Sequence, residues 1–158
     1  MHDAAPSGEV VELELPARPE VVSVARLVIG ALAAADPLFD EERGADLRLA
    51  VSEACTNAIQ AQMALGATNG RVSGELPISM RCVVGDGHIE VAVTDHGGGF
   101  DPASLRPHPE VTDPARLEHE GGLGIPLIRM LADALEFVPH DDGTTVVMQF
   151  LARVDEPI

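Results

Sequence analysis

Val51-Ser52-Glu53-Ala54-Cys55-Thr56-Asn57-Ala58-Ile59 decides how the rest of the chain is read. Val51, Ala54 and Ala58 recur at intervals of three and four residues, with Leu47 before them and Ala61 after. That period predicts an amphipathic helix over residues 40–63. Glu53 and Asn57 stand four apart, so both leave the same face of that helix one turn from each other. A polar pair of this kind is also what a solvated helix face looks like, and its meaning depends on what the flanking sequence brings near it.

Upstream, Val11, Leu13 and Leu15 alternate with Glu12 and Glu14, the period of a strand. After Pro19, Val21, Val24, Val28 and Leu32 recur at helical spacing until Asp36-Pro37, giving a first helix. Downstream, Gly66, Gly70 and Gly74 mark a loop, and Ile78, Met80, Cys82 and Val84 alternate inward up to a Gly85-Asp86-Gly87 turn. Ile89, Val91 and Val93 form the returning strand, and Asp95 keeps their parity. Residues 96–122 are rich in Gly, Pro, His and Glu and too long for an idle connection, which suggests a lid or binding loop. A third helix begins near Gly124, tolerates Pro126 in its first turn and carries Leu127, Leu131 and Ala134 on one face. A closing hairpin turns at Asp141-Asp142-Gly143. The expected fold is an α/β two-layer sandwich with a mixed, mostly antiparallel sheet and helices on one face. One domain is expected over residues 1–158, with its core at about 10–152.

Composition removes several functions. The chain has 26 Asp and Glu against 10 basic residues, all of them arginine, for a formal net charge of -16. Nucleic acid is a poor partner for that sign. Without lysine there is no P-loop, no protein-kinase-type ATP lysine and no Schiff base. With four Phe and no Trp or Tyr, the core must be aliphatic and recognition by stacking is disfavoured. Cys55 and Cys82 have no CxxC spacing and read as buried thiols of a reducing compartment. No HxxxH or HxH pair offers zinc a site, and no stretch reaches the ~18 apolar residues of a membrane span. A soluble cytoplasmic protein is expected.

Two further motifs join the helix pair. Asp95-His96-Gly97-Gly98-Gly99 puts a carboxylate at the end of an inward strand row, where it must have a partner. Glu120-Gly121-Gly122-Leu123-Gly124-Ile125 feeds a glycine run into a helix, where bare amides attract phosphate. In this order the three motifs resemble the N box and the two glycine boxes of the GHKL (Bergerat) ATPase superfamily, and most closely its anti-sigma factor serine kinases of the RsbW and SpoIIAB type. The likeness runs from about residue 10 to 152 and takes in Ala25-Arg26, Asp36-Pro37 and Gly143-Thr144-Thr145-Val146. Where the family commonly has a histidine followed by a small residue one turn after Asn57, this chain has Ala61 and Gln62.

The resemblance implies an ATP- and Mg²⁺-binding regulator that sequesters a sigma factor and phosphorylates Ser or Thr on a STAS-type anti-anti-sigma protein. Glu53 would be its general base and Asn57 its Mg²⁺ ligand. Asp95 would accept a hydrogen bond from the adenine amino group, with Thr144 beside it. Gly97 and Gly99 would leave room for the base, and Gly122 and Gly124 would give amides to the phosphates. Arg26 would lie on the sigma-binding surface of a homodimer. Two rivals stay open: a binding module that holds nucleotide without phosphoryl transfer, and a detached histidine-kinase-like ATPase domain.

Overall fold

In a computed structural model, whose described residues are 8–69, 76–97 and 124–153, two helical passes separate the first strand from the second. The order is β1 (Glu9–Leu15), a 3-10 turn (Pro19–Val21), α1 (Val22–Ala34), α2 (Glu41–Asn69), β2 (Ile78–Gly85), β3 (His88–Asp95), α3 (Gly124–Leu131), β4 (Ala134–His140) and β5 (Gly143–Leu151). Spatially the strands run β1-β2-β3-β5-β4, and all four pairings are antiparallel. The expected two-layer α/β class stands, but the sheet is antiparallel rather than mixed. Two helices between β1 and β2 return the chain in the opposite sense. β3 and β4 run the same way, joined by a connection whose described part is α3, and β5 inserts between them.

Inward rows meet in register, so alternation in sequence becomes one continuous apolar face. Cys82 lies opposite Val91, Val91 opposite Met148, and Met148 opposite Leu135. Those residues join Leu47, Val51, Ala54, Cys55, Ala58 and Ile59 of α2 in the core. The other face of the sheet is polar, with Arg81 on Glu12, Gln149 on Glu90 and Thr94 on Thr145.

Each helix departs in detail from its expected pattern. α1 buries Ala25, Ile29 and Ala33, whereas Val24 is 43% exposed. Small residues bring it close to α2, and a Cβ on Gly30 would stand 3.2 Å from Cδ of Arg48. α2 continues to Asn69, so Gly66 lies inside it rather than in a loop. Its start is capped by Asp40, whose Oδ1 accepts the Arg43 N–H at 2.7 Å. α3 buries Ile128 rather than Leu127, and Ala134 already belongs to β4 and is exposed. Asp36 earns its place after α1 by accepting from the Leu38 and Gly87 amides, both at 2.9 Å, which ties the α1–α2 loop to the β2–β3 turn.

Candidate functional site

Three elements converge beside α2: the end of β3, the start of β5 and the N-terminus of α3. Register sets Asp95 opposite Thr144. The approach is so close that a Cβ on Gly143 would fall 1.8 Å from the Asp95 carbonyl oxygen, and only glycine fits there. Asp95 is 9% exposed, and its Oδ1 accepts the Gly97 N–H at 2.8 Å. The Thr144 backbone lies close enough to the same carboxylate to favour its charged form.

Burial raises the Asp95 pKa above its ordinary value, while the Gly97 and Thr144 amides and nearby His96 hold it back and Asp142 adds to the rise. Thr144 is 2% exposed, and its Oγ1 has no hydrogen-bond partner among the described residues. Buried hydroxyls are rarely left so. A carboxylate acceptor with a vacant hydroxyl beside it suits a flat ligand edge carrying both donors and acceptors, as adenine does.

At the far side of the site, α3 begins against α2. A Cβ on Gly124 would stand 2.7 Å from Nδ2 and 3.1 Å from Oδ1 of Asn57. The half-buried Asn57 amide therefore lies at the mouth of a helix N-terminus, a place whose free N–H groups favour anions. Glu53 is half-buried one turn earlier on the same helix face. Between these poles Gly97 rests on α2, where an added Cβ would meet the Ala61 Cβ at 2.7 Å and its carbonyl carbon at 2.9 Å.

Asn57, Asp95, Gly97, Gly124, Thr144 and Glu53 thus border one region. Gly99, Gly122 and nearly all of the expected lid at 96–122 lie outside the described residues. Arg26 is exposed on α1, at the edge of the core row of Ala25, Ile29 and Ala33.

Residues 15–150 match the family described as histidine kinase-like ATPase domain. The chain belongs to that family. Its relatives include a serine-protein kinase RsbW of Bacillus pumilus (strain SAFR-032), 36% identical over 92% of this chain and 88% of that one. Another, from Listeria monocytogenes serotype 4a (strain HCC23), is 36% identical over 94% of this chain and 87% of its own length. Two solved structures share the fold. The RsbU and RsbW domains of a Mycobacterium tuberculosis protein superpose with a TM-score of 0.63 at 16% identity, over 95% of this chain and 34% of that longer one. The SiaB-SiaC complex of Pseudomonas aeruginosa gives 0.58 at 12% identity, over 89% and 88%. The sequence-based family assignment, to RsbW-type members of the histidine kinase-like ATPases, agrees with these matches.

Two residues of this ATPase-family domain were not singled out for a role from sequence. Gln62 is buried, its Oε1 accepting the His96 N–H at 2.9 Å and its Nε2 donating to the Leu76 carbonyl at 2.7 Å. Arg43, 2% exposed, donates to the Leu131 and Leu151 carbonyls at 2.7 and 2.9 Å, pairs with Asp133 and Asp46, and lies over the Phe150 ring. An arginine inside an otherwise apolar helix pattern was the available signal. The thiols lie in the core behind the Glu53–Asn57 face. Burial pushes Cys55 up to about 12, with Cys82 adding to the rise, and pushes Cys82 up to about 11.

Proposed function

We propose that this chain is an ATP- and Mg²⁺-dependent anti-sigma factor, cytoplasmic and homodimeric, that sequesters a sigma factor and phosphorylates Ser or Thr on a STAS-type anti-anti-sigma protein. The observation that carries the nucleotide part is the buried Thr144 hydroxyl, unpartnered among the described residues, beside the buried Asp95 carboxylate. Resemblance to RsbW-type serine-protein kinases carries the choice of phosphoryl acceptor. Among the described residues no helix is long and apolar enough to cross a membrane.

Asp95 accepts a hydrogen bond from the adenine amino group and so favours ATP over GTP, while Thr144 Oγ1 completes the polar edge of the base pocket. Gly97 and Gly99 leave space for the base. The amides of Gly122 and Gly124 hold the phosphates, and Asn57 Oδ1 offers one ligand to the metal. Mg²⁺ usually takes few ligands from protein and the rest from phosphate and water, and when bound it offsets phosphate charge in a chain whose own net charge is -16.

Glu53 takes the proton from the acceptor hydroxyl as its oxygen bonds to the terminal phosphorus and the bond to the ADP oxygen breaks. Arg26, with Val24 and Leu27 exposed at 43% and 74% on the same helix, belongs to the protein-binding surface.

Ala61 favours one second reading, a sigma-sequestering module that binds nucleotide without transfer. The Gly97 turn packs against a methyl there, and no titratable side chain stands at that position. Incubation with labelled ATP and a STAS-type anti-anti-sigma protein separates the readings. Acid-stable phosphate on Ser or Thr supports the kinase, acid-labile phosphate on His supports a histidine-kinase-like domain, and sigma capture without transfer supports the module.

A further inference from the structure

Asp95 owes its orientation to a turn, and that turn is seated on α2 by two consecutive residues. Gln62 is 8% exposed, and both ends of its side-chain amide are engaged: Oε1 accepts from the His96 backbone at 2.9 Å and Nε2 donates to the Leu76 carbonyl at 2.7 Å. One residue earlier, Ala61 lies so close under Gly97 that an added Cβ would stand 2.7 Å from its own. Gly97 in turn donates its N–H to Asp95 Oδ1 at 2.8 Å. The carboxylate is therefore joined to α2 through His96 and Gly97 by one hydrogen bond and one close contact, with no direct bond from α2 to Asp95 among the described residues.

We infer that Gln62 is a positioning residue for base selection: through the His96 amide it fixes the Asp95–Gly97 turn, and with it the direction in which the carboxylate presents its acceptor. This rests on the reading of Asp95 as the adenine-selecting group. A single discriminating hydrogen bond must be aimed, because its strength falls steeply with misalignment. With Gln62 removed, the part-buried His96 N–H loses its acceptor and the turn shifts to regain one. Gln62 thus acts on which base is bound and only weakly on how the phosphates are held, since Asn57 and Gly124 sit at the other end of the site.

The test is the ratio of ATP to GTP affinity, measured by calorimetry on the full chain with Mg²⁺. Gln62→Met keeps the length and apolar bulk and deletes both hydrogen bonds. Ala61→Val, at a half-buried position, lifts the same turn without touching Gln62 and keeps the test open where the methionine variant does not fold. Ile29→Val, in the α1 core, controls for a general loss of stability.

The expected result is that whichever of the first two variants folds loses about tenfold of the preference for ATP, while Ile29→Val keeps it. Folded variants that discriminate as the wild type does, alongside an Asp95→Ala variant that has lost discrimination, overturn the role of Gln62 and leave the nucleotide site standing. A wild type with no preference for ATP defeats the underlying reading and this inference together.

Discussion

The Asn57 side chain and the Gly124 backbone meet: a Cβ built on Gly124 would stand 2.7 Å from Nδ2 and 3.3 Å from Cγ of Asn57. The contact joins the middle of α2 to the first residue of α3, two elements that sequence alone separates by the hairpin and the long 96–122 segment. It puts a short amide where free helix N–H groups end, and it sets two kinds of glycine apart.

Gly124→Ala is the milder case. The atoms in the way are the end of a rotatable side chain, and alanine is favoured over glycine within a helix by up to about 1 kcal/mol. The variant is expected to keep its thermal midpoint within a few degrees while Mg²⁺-dependent ATP affinity falls about tenfold or more, because Asn57 is displaced. Parallel thermal unfolding and calorimetry read both quantities.

Gly143→Ala meets backbone instead, 1.8 Å from the Asp95 carbonyl oxygen and 2.7 Å from its carbon. Nothing there can rotate away, so the β4–β5 turn must separate from β3. A stability loss above about 3 kcal/mol is expected from that strain. Urea unfolding with a midpoint close to the wild type's would show that the hairpin has room after all.

Arg43 holds the opposite end of α3. Its guanidinium serves the last carbonyl of α3, the last carbonyl of β5 and Asp133, all from inside the first turn of α2. Arg43→Met fills the same space with apolar atoms but leaves those acceptors without their donor, and each acceptor left unsatisfied costs about 1 to 3 kcal/mol, less at Asp133, whose carboxylate reaches water. Equilibrium unfolding should show that loss, with Arg153→Met, whose ion pairs are exposed, near the wild type.

Asp95 gives stability a pH dependence of known sign. Burial raises its pKa in the fold, so in the window between the ordinary aspartate value of 3.8 and the raised one the folded state holds more protons than the unfolded state. Stability then falls as pH rises through that window. Asp95→Asn removes this component, and its stability relative to wild type should grow on going from about pH 4 towards neutrality. A constant difference across that range would show that the carboxyl titrates normally.

Strands were legible in the sequence because a period of two survives folding unchanged: Leu13, Met80 and Val93 fall on one row as their alternation implies. Helix faces were less so. In α1 the bulky apolar residues Val24 and Leu27 face solvent, and small Ala25 and Ala33 are buried, since close approach to α2 selects for size as well as hydrophobicity. Asp95, Asn57 and Gly124 could be named from motif and spacing. Their mutual arrangement could not, because it depends on contacts such as Gln62 with His96, 34 residues apart. No local pattern encodes a hydrogen bond of that span.

Calorimetric titration of ATP with Mg²⁺ into the wild type and into Asp95→Ala decides whether the corner between Asp95 and Thr144 is an adenine site. The wild type is expected to bind ATP and discriminate against GTP, and the variant, still folded, to bind ATP at least about tenfold more weakly, the loss expected for one hydrogen bond to a charged group. Equal ATP affinity in the two proteins, or a wild type that prefers GTP, would contradict it.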